Sequence, residues 1–335
     1  MESKNDMSMV AQKIDFSGTV CVQVNSKVVT ESYGYANFTE KRKNEANTRF
    51  GIASGAKFFT SIAICQLVEQ KKLSFHSKIT ECLDMDFPFF DKEITIHHLL
   101  THTSGIPDYF DESIMDDFEE LWVKVPMYHI RKLQDFLPLF QHEQMKELPG
   151  SVFRYNNSGY ILLGLIIEQA TGMNFNDYVE KYILAASDMV DSGYFELDAL
   201  PERTATGYIE NEDGSWRTNV FSVPAKGGSD GGIFVTAPEM IKLWNTLLTG
   251  KLLSHEMQDQ LLTHRIKVEE DIHYGYCGYM EVKEERVRKF ILMGYDPGVN
   301  FRMTYHPDDE LMIAVCSNKS DGAYEMLKAA EKAFI

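Results

Sequence analysis

The sequence predicts an α/β protein of the α+β kind, one antiparallel sheet flanked by helices with a mostly helical domain inserted into it. Three observations predict it. β-rich runs stand at both ends of the 335-residue chain, two helical segments carry apolar residues on nearly every face, and the aromatic, acidic middle is irregularly helical. The economical arrangement joins the two ends in one sheet. It divides the chain into a discontinuous sheet domain, residues 1–75 and 211–335, and a helical domain, residues 76–210.

Taken in order, Gly18 to Val24 and Lys27 to Tyr35 read as a hairpin across Asn25-Ser26, so the chain is expected to open with sheet. From Ser54 to Gln70, Ala56, Phe59, Ala63 and Leu67 recur at helical spacing, and apolar residues fill the other faces, which predicts a buried helix. Ile94 to Leu100 leads into the turn Thr103-Ser104-Gly105-Ile106-Pro107, and Asp108 to Pro149 forms the irregular insertion. A second buried helix, Ser158 to Thr171, starts after Asn156-Asn157 and stops at Gly172, a residue suited to a left-handed cap. The glycine-rich Gly227 to Gly232 precedes a strand. Thr236 and Glu239 then fit a capping box for a helix ending near Leu248. Lys289 to Met293, Val299 to Tyr305 and Leu311 to Ser317 read as strands, followed by a helix from Asp321.

Composition narrows the function. With 33 basic against 50 acidic side chains the net charge is −17, which repels phosphate backbones and anionic lipid surfaces. No nucleic acid or membrane partner is expected. Cys21, Cys65, Cys82, Cys277 and Cys316 are scattered, nowhere spaced as C-x-x-C, and read as reduced thiols. Met1 to Val10 is too polar for a signal peptide, and the longest apolar run, Tyr160 to Ile167, falls well short of the roughly 20 residues that span a bilayer. The expectation is a cytoplasmic protein.

The anomaly is Lys57, the sole charged side chain between Ile52 and Val68 in a helix built for burial. Burying an ammonium costs several kcal/mol unless it is paired or loses its proton. Ser54 lies three residues earlier, one helical turn away, so its hydroxyl and the Lys57 amine share a face. The amine can take the hydroxyl's proton, and the helix end favours the resulting negative charge. An N-cap serine with a snorkelling lysine is the bland alternative.

Tyr155-Asn156-Asn157 follows in the loop before the second buried helix. With it the chain resembles the serine β-lactamase and penicillin-binding-protein superfamily, in particular the branch of class C β-lactamases, D-alanyl-D-alanine carboxypeptidases and related esterases. Four stretches carry the resemblance: Phe50-Gly-Ile-Ala-Ser-Gly-Ala-Lys57, Ile94-Thr-Ile-His-His-Leu-Leu-Thr-His-Thr-Ser-Gly-Ile-Pro107, Tyr155-Asn-Asn-Ser-Gly-Tyr160 and Gly231-Gly-Ile-Phe-Val-Thr236.

The resemblance implies a β-lactamase/transpeptidase-like fold with its site at the junction of the two domains. It assigns Ser54 as the nucleophile that becomes acylated, Lys57 as its activating partner, Tyr155 as proton shuttle and Asn157 as the amide that orients substrate. Nearby positive charge, partly from Lys57, is expected to make Tyr155 acidic enough to work near neutral pH. The family's third motif, Lys or His followed by Ser, Thr or Gly and then Gly, corresponds here to Leu292-Met293-Gly294-Tyr295 before Pro297-Gly298. Leu292 replaces the cation. Lys289 falls on the other face of the strand, leaving Arg302 on the next strand as the candidate substitute. Backbone N–H groups of Ser54 and Tyr295, beside Gly294, are expected to form the oxyanion hole. Without the cation, neutral esters or amides are favoured over β-lactams and other anionic acyl donors.

Rival constellations are weaker. Gly227-Gly228-Ser229-Asp230-Gly231 matches a nucleophile elbow, but that motif needs a helix straight after the serine, and a strand is predicted. His97, His98 and His102 lack the glutamate of a zinc-binding H-E-x-x-H. Asp108, Asp111, Glu112, Asp116, Asp117, Glu119 and Glu120, interleaved with aromatics, read as a solvated face or as a lid that repels anions.

The expectation is a serine hydrolase of ester or amide bonds acting on a small-molecule acyl substrate, without cofactor or metal. A penicillin-binding carboxypeptidase or β-lactamase is the alternative within the family, and a catalytically silent binding homologue the alternative outside enzymes.

Overall fold

The computed structural model describes residues 2–115, 118–123 and 125–334. The chain opens with helix α1, Glu2–Lys13, and not with sheet. Met7, Val10, Ala11 and Ile14 recur at helical spacing, and Met7 and Ala11 are buried against the far end of the chain. The expected hairpin follows as β1, Gly18–Val24, and β2, Lys27–Tyr33. Next come the two buried helices, α2 (Lys57–Glu69) and α3 (Asn157–Thr171), and then α4 (Ala237–Leu248). Six strands complete the sheet: β3 (His264–Lys267), β4 (Ile272–Gly275), β5 (Gly278–Lys283), β6 (Arg286–Asp296), β7 (Val299–His306) and β8 (Leu311–Ser317). Helix α5, Ala323–Phe334, closes the chain.

The eight strands lie in the order β2-β1-β8-β7-β6-β5-β4-β3, and their neighbours run antiparallel. Pairing of Gly18 with Ser317 through Val24 with Leu311 joins the two chain ends, as expected. β8 is buried along its whole length because both faces of the sheet are covered. Ile313 and Val315, with Val20 and Val22, face α1 and α5. Met312, Ala314 and Cys316, with Cys21, face the larger core of α2, α3 and α4. The five cysteines are free.

In α2 every side chain from Lys57 to Leu67 is buried, and Phe58 stacks on Trp244 of α4 at 5.1 Å. α3 begins where the Asn156 side chain accepts from Gly159 N (2.7 Å) and ends at Gly172 with φ +69°. Only half of the expected capping box at α4 forms. Thr236 accepts from Glu239 N at 3.3 Å, but the Glu239 carboxylate accepts instead from Asp191 N (2.9 Å) and Ser192 Oγ (2.6 Å). Between α2 and α3 the chain is held by short helices and 3-10 turns. Among the described residues no helix is long and apolar enough to cross a membrane.

Candidate active site

Phe50–Gly51 pairs with Phe234–Val235 and delivers the chain into the 3-10 turn Ala53–Ala56, from which α2 continues. Ala53 sits at φ +45°, a left-handed conformation that costs a non-glycine residue on the order of 1–3 kcal/mol. The surroundings enforce it. Ile52 N donates to Ile233 O (3.1 Å) and Gly232 N to Ala53 O (3.3 Å), while β6 presses against the turn. A Cβ on Gly294 would lie 2.0 Å from Ile52 O, so only glycine admits this approach. Ser54 and Tyr295 are thereby brought to the rim of two adjoining cavities, of about 370 and 340 Å³.

Lys57, the first residue of α2, is 5% exposed. Its Nζ lies 2.9 Å from Ser54 Oγ, 2.7 Å from Asn157 Oδ1 and 2.8 Å from Asp230 O. Burial pushes its pKa down, against the pull of Asp230, Asp108, Glu112 and Asp296. A neutral amine satisfies all three contacts, donating to the amide and carbonyl oxygens and accepting from the Ser54 hydroxyl. The same contacts hold the nitrogen where it can take that proton.

Asn157 is fixed by Asp108. The carboxylate accepts from Asn157 N (2.9 Å), Ser158 N (2.8 Å) and Asn157 Nδ2 (3.1 Å) at the start of α3. Burial pushes the Asp108 carboxyl up to about 7, with the bonds from Asn157 and Ser158 opposing it. The Tyr155 ring packs 4.4 Å from the ring of His102, and Lys57 Nζ stands 5.0 Å from the Tyr155 ring centroid. Burial drives the phenol pKa well upward, and a hydrogen bond with Ser54 only partly opposes this. Tyr155 is therefore a neutral phenol rather than the acidic one that nearby positive charge was expected to create.

Leu292 is buried at the position of the missing cation. Arg302 does not replace it. It borders the smaller cavity but pairs in register with Met293 and not Leu292, donates to Met293 Sδ at 2.9 Å and lies 5.7 Å from the ring of Tyr324 on α5.

The acidic segment is not simply a solvated face. Asp108 anchors α3, while Glu112 and Phe118 line both cavities. Glu119 accepts from Arg217 and Ser222, and Asp116 and Asp117 lie outside the described residues. Asp230, inside the glycine-rich Gly227–Gly231 segment, and Asp296, just after the third-motif segment, also reach the site, though neither stands among the site residues the sequence predicts. Asp230 is buried and accepts from the Tyr109 hydroxyl, and Asp296 lines the larger cavity.

Ser229 is fully buried, its Oγ has no partner among the described residues, and it packs so tightly on α3 that a Cβ on Gly164 would lie 2.3 Å from that oxygen. A strand follows it, so it forms no nucleophile elbow. His97 bonds Tyr276 Oη (2.8 Å), and His102 bonds Tyr274 Oη (3.0 Å) and accepts from Asn156 N (3.1 Å). His98 accepts from Thr95 N at 3.2 Å. Their nitrogens serve the fold, and no cluster of three or more His, Cys, Asp or Glu suited to a metal occurs among the described residues.

The sequence profile of the family described as Beta-lactamase matches residues 8–333. A penicillin-binding protein of Bacillus subtilis (strain 168) is 29% identical over 96% of this chain and 73% of its own length. PbpX of the same strain is 26% identical over 78% of this chain, which spans 63% of that protein. Among solved structures, a penicillin binding protein from Bacillus halodurans superposes with a TM-score of 0.94 at 49% identity, covering 98% of this chain and 100% of that one.

Proposed function

The chain belongs to the β-lactamase family of serine hydrolases, which act on amide or ester bonds through an acyl-enzyme, and from that premise we propose that Ser54 is the residue acylated and Lys57 its base. The observation that carries this assignment is the 2.9 Å contact between Lys57 Nζ and Ser54 Oγ inside a cleft open to ligand.

The Lys57 amine takes the Ser54 proton as Oγ bonds to the substrate carbonyl carbon. The oxyanion formed is held by the backbone N–H groups of Ser54 and Tyr295. Tyr155, kept protonated by burial, gives its proton to the leaving oxygen or nitrogen as that bond breaks. The phenolate left behind faces the Lys57 ammonium. Water then attacks the ester, passing its proton to Tyr155, while Lys57 returns its proton to Oγ. Asn157 orients the substrate and keeps Lys57 in place. The work sits between the sheet domain (1–75, 211–335) and the helical domain (76–210), in a cleft walled by both.

Tyr155 and Leu292 line the smaller cavity but not the larger. The leaving group therefore occupies the smaller cavity and the acyl group the larger. With Leu292 at the cation position, neutral esters and amides fit the leaving-group side better than carboxylate-bearing β-lactams. Penicillin binding is the second reading, favoured by the name of the Bacillus halodurans relative. Intact-mass analysis after separate incubation with a fluorophosphonate and a penicillin tests both. A fluorophosphonate adduct lost in Ser54→Ala supports the assignment. No adduct with either reagent would favour a silent binding homologue.

A further inference from the structure

The two oxygens that take hydrogens from Lys57 Nζ are held in place by neighbouring residues of one segment. Asp108 accepts from Asn157 Nδ2 at 3.1 Å, which turns Asn157 Oδ1 toward the amine. The next residue, Tyr109, donates its hydroxyl hydrogen to the Asp230 carboxylate, and Asp230 O is the second acceptor of Lys57. Tyr109 and Asp230 are each 6% exposed, and Tyr109 N donates to Ser158 Oγ on α3 at 2.9 Å. Asp230 stands among Gly227, Gly228, Gly231 and Gly232, with Gly232 at φ +84°, so its segment has little stiffness of its own. Side chains from outside supply it. Thr60 Oγ1 donates to Ser229 O at 2.6 Å, and Tyr109 grips the Asp230 side chain itself. A hydroxyl bonded to a buried carboxylate makes one of the stronger hydrogen bonds, and it fixes both groups.

We propose that Tyr109 is a positioning residue of the active site: acting through Asp230, it aims the lone pair of Lys57 at Ser54. This inference rests on the reading of Ser54 as the acylated residue and Lys57 as its base. The Tyr109 hydroxyl goes to Asp230, so its effect reaches Ser54 Oγ by way of Asp230 O and Lys57 Nζ. The same bond steadies the Asp230 charge. Lys57 is faced by the carboxyls of Asp230, Asp108, Glu112 and Asp296, by the rings of Tyr155 and Tyr160, and by His102, which burial keeps neutral. Of the carboxyls, Asp230 favours the ammonium most. Burial raises the Asp230 pKa, and Lys57 and the Tyr109 hydroxyl oppose it. Without that hydroxyl the Asp230 carboxyl takes a proton more readily, the ammonium loses support, and Lys57 becomes neutral at lower pH.

The test follows fluorophosphonate labelling of Ser54 across pH in the full chain, together with steady-state kinetics on a neutral 4-nitrophenyl ester. In Tyr109→Phe, which removes one oxygen and keeps the ring, the plateau labelling rate and kcat should fall about tenfold or more, with KM kept within about twofold. The midpoint of the rising limb should move to lower pH. Asp230→Asn, which removes the charge altogether, should move it further down, by about one pH unit. A role confined to stability would lower the melting temperature and leave that midpoint in place. A plateau within about twofold of the wild type in Tyr109→Phe, an unmoved midpoint, or a rise in KM at unchanged kcat overturns the proposal. If Tyr109→Phe does not fold, the midpoint of Asp230→Asn decides alone, and its staying in place overturns the proposal. Lys57→Met separates the two readings. If it labels slowly while Tyr109→Phe labels normally, the positioning role alone has failed; if it labels at the wild-type rate, the assignment of Lys57 has failed with it.

Discussion

Lys57 Nζ stands 2.9 Å from Ser54 Oγ, and its other two contacts, Asn157 Oδ1 and Asp230 O, are both acceptors. An amine that spends its hydrogens on two fixed oxygens turns its lone pair toward the third. The arrangement predicts that Lys57→Met, similar in volume and uncharged, lowers kcat for a neutral ester by about a thousandfold. Thermal unfolding should show a loss of about 1–3 kcal/mol, because Asn157 Oδ1 and Asp230 O lose their buried donor. A drop in melting temperature with near-normal turnover would reverse the assignment.

With Lys57 as the proposed base, its protonation state should set the pH dependence. Only the neutral amine accepts the Ser54 proton, so kcat/KM for a neutral ester should rise with pH as the ammonium is lost. The midpoint should lie below the ordinary lysine value of about 10.4, because burial lowers it. Asp296 favours the ammonium, so Asp296→Asn should move that midpoint further down. The pH–rate profiles of the two proteins check both signs.

A Cβ on Gly294 would lie 2.0 Å from Ile52 O, where β6 packs on the turn that carries Ser54. Gly294→Ala should push the strand from the turn, destabilise the protein by about 1–3 kcal/mol and slow fluorophosphonate labelling of Ser54. Denaturant unfolding and labelling kinetics measure the two effects separately.

Leu292 underlies the proposed preference for neutral acyl donors. Leu292→Lys restores a cation at the leaving-group side, and acylation by a penicillin should accelerate about tenfold, worth roughly 1.4 kcal/mol of added stabilisation. Stopped-flow or intact-mass kinetics report the rate. No acceleration would mean that the missing cation is not what limits carboxylate recognition.

Ser229→Ala should leave fluorophosphonate labelling intact and raise stability slightly, since the hydroxyl is buried without a partner among the described residues. Mass spectrometry and thermal unfolding cover both points.

Much of the fold was legible because its signals are local. The hairpin at Asn25-Ser26, the caps of α3 and the apolar run of β8 each announce themselves within a few residues. α1 escaped although Met7, Val10, Ala11 and Ile14 carry its period, because its apolar stripe gains meaning only against α5. β3, β4 and β5 mix aromatic, polar and glycine residues in short runs, and their pairing rather than their composition defines them. Ser54, Lys57, Tyr155 and Asn157 were legible as motif residues. Asp108, Asp230 and Asp296 were not, because they converge on Lys57 from three distant parts of the chain.

The central claim is tested most directly by quenching turnover of a neutral ester in acid and mapping the trapped adduct by peptide mass spectrometry. A mass gain equal to the acyl group, carried on Ser54 and absent from Ser54→Ala, is the predicted result. Turnover that continues in Ser54→Ala, or an acyl group found on another residue, would contradict it.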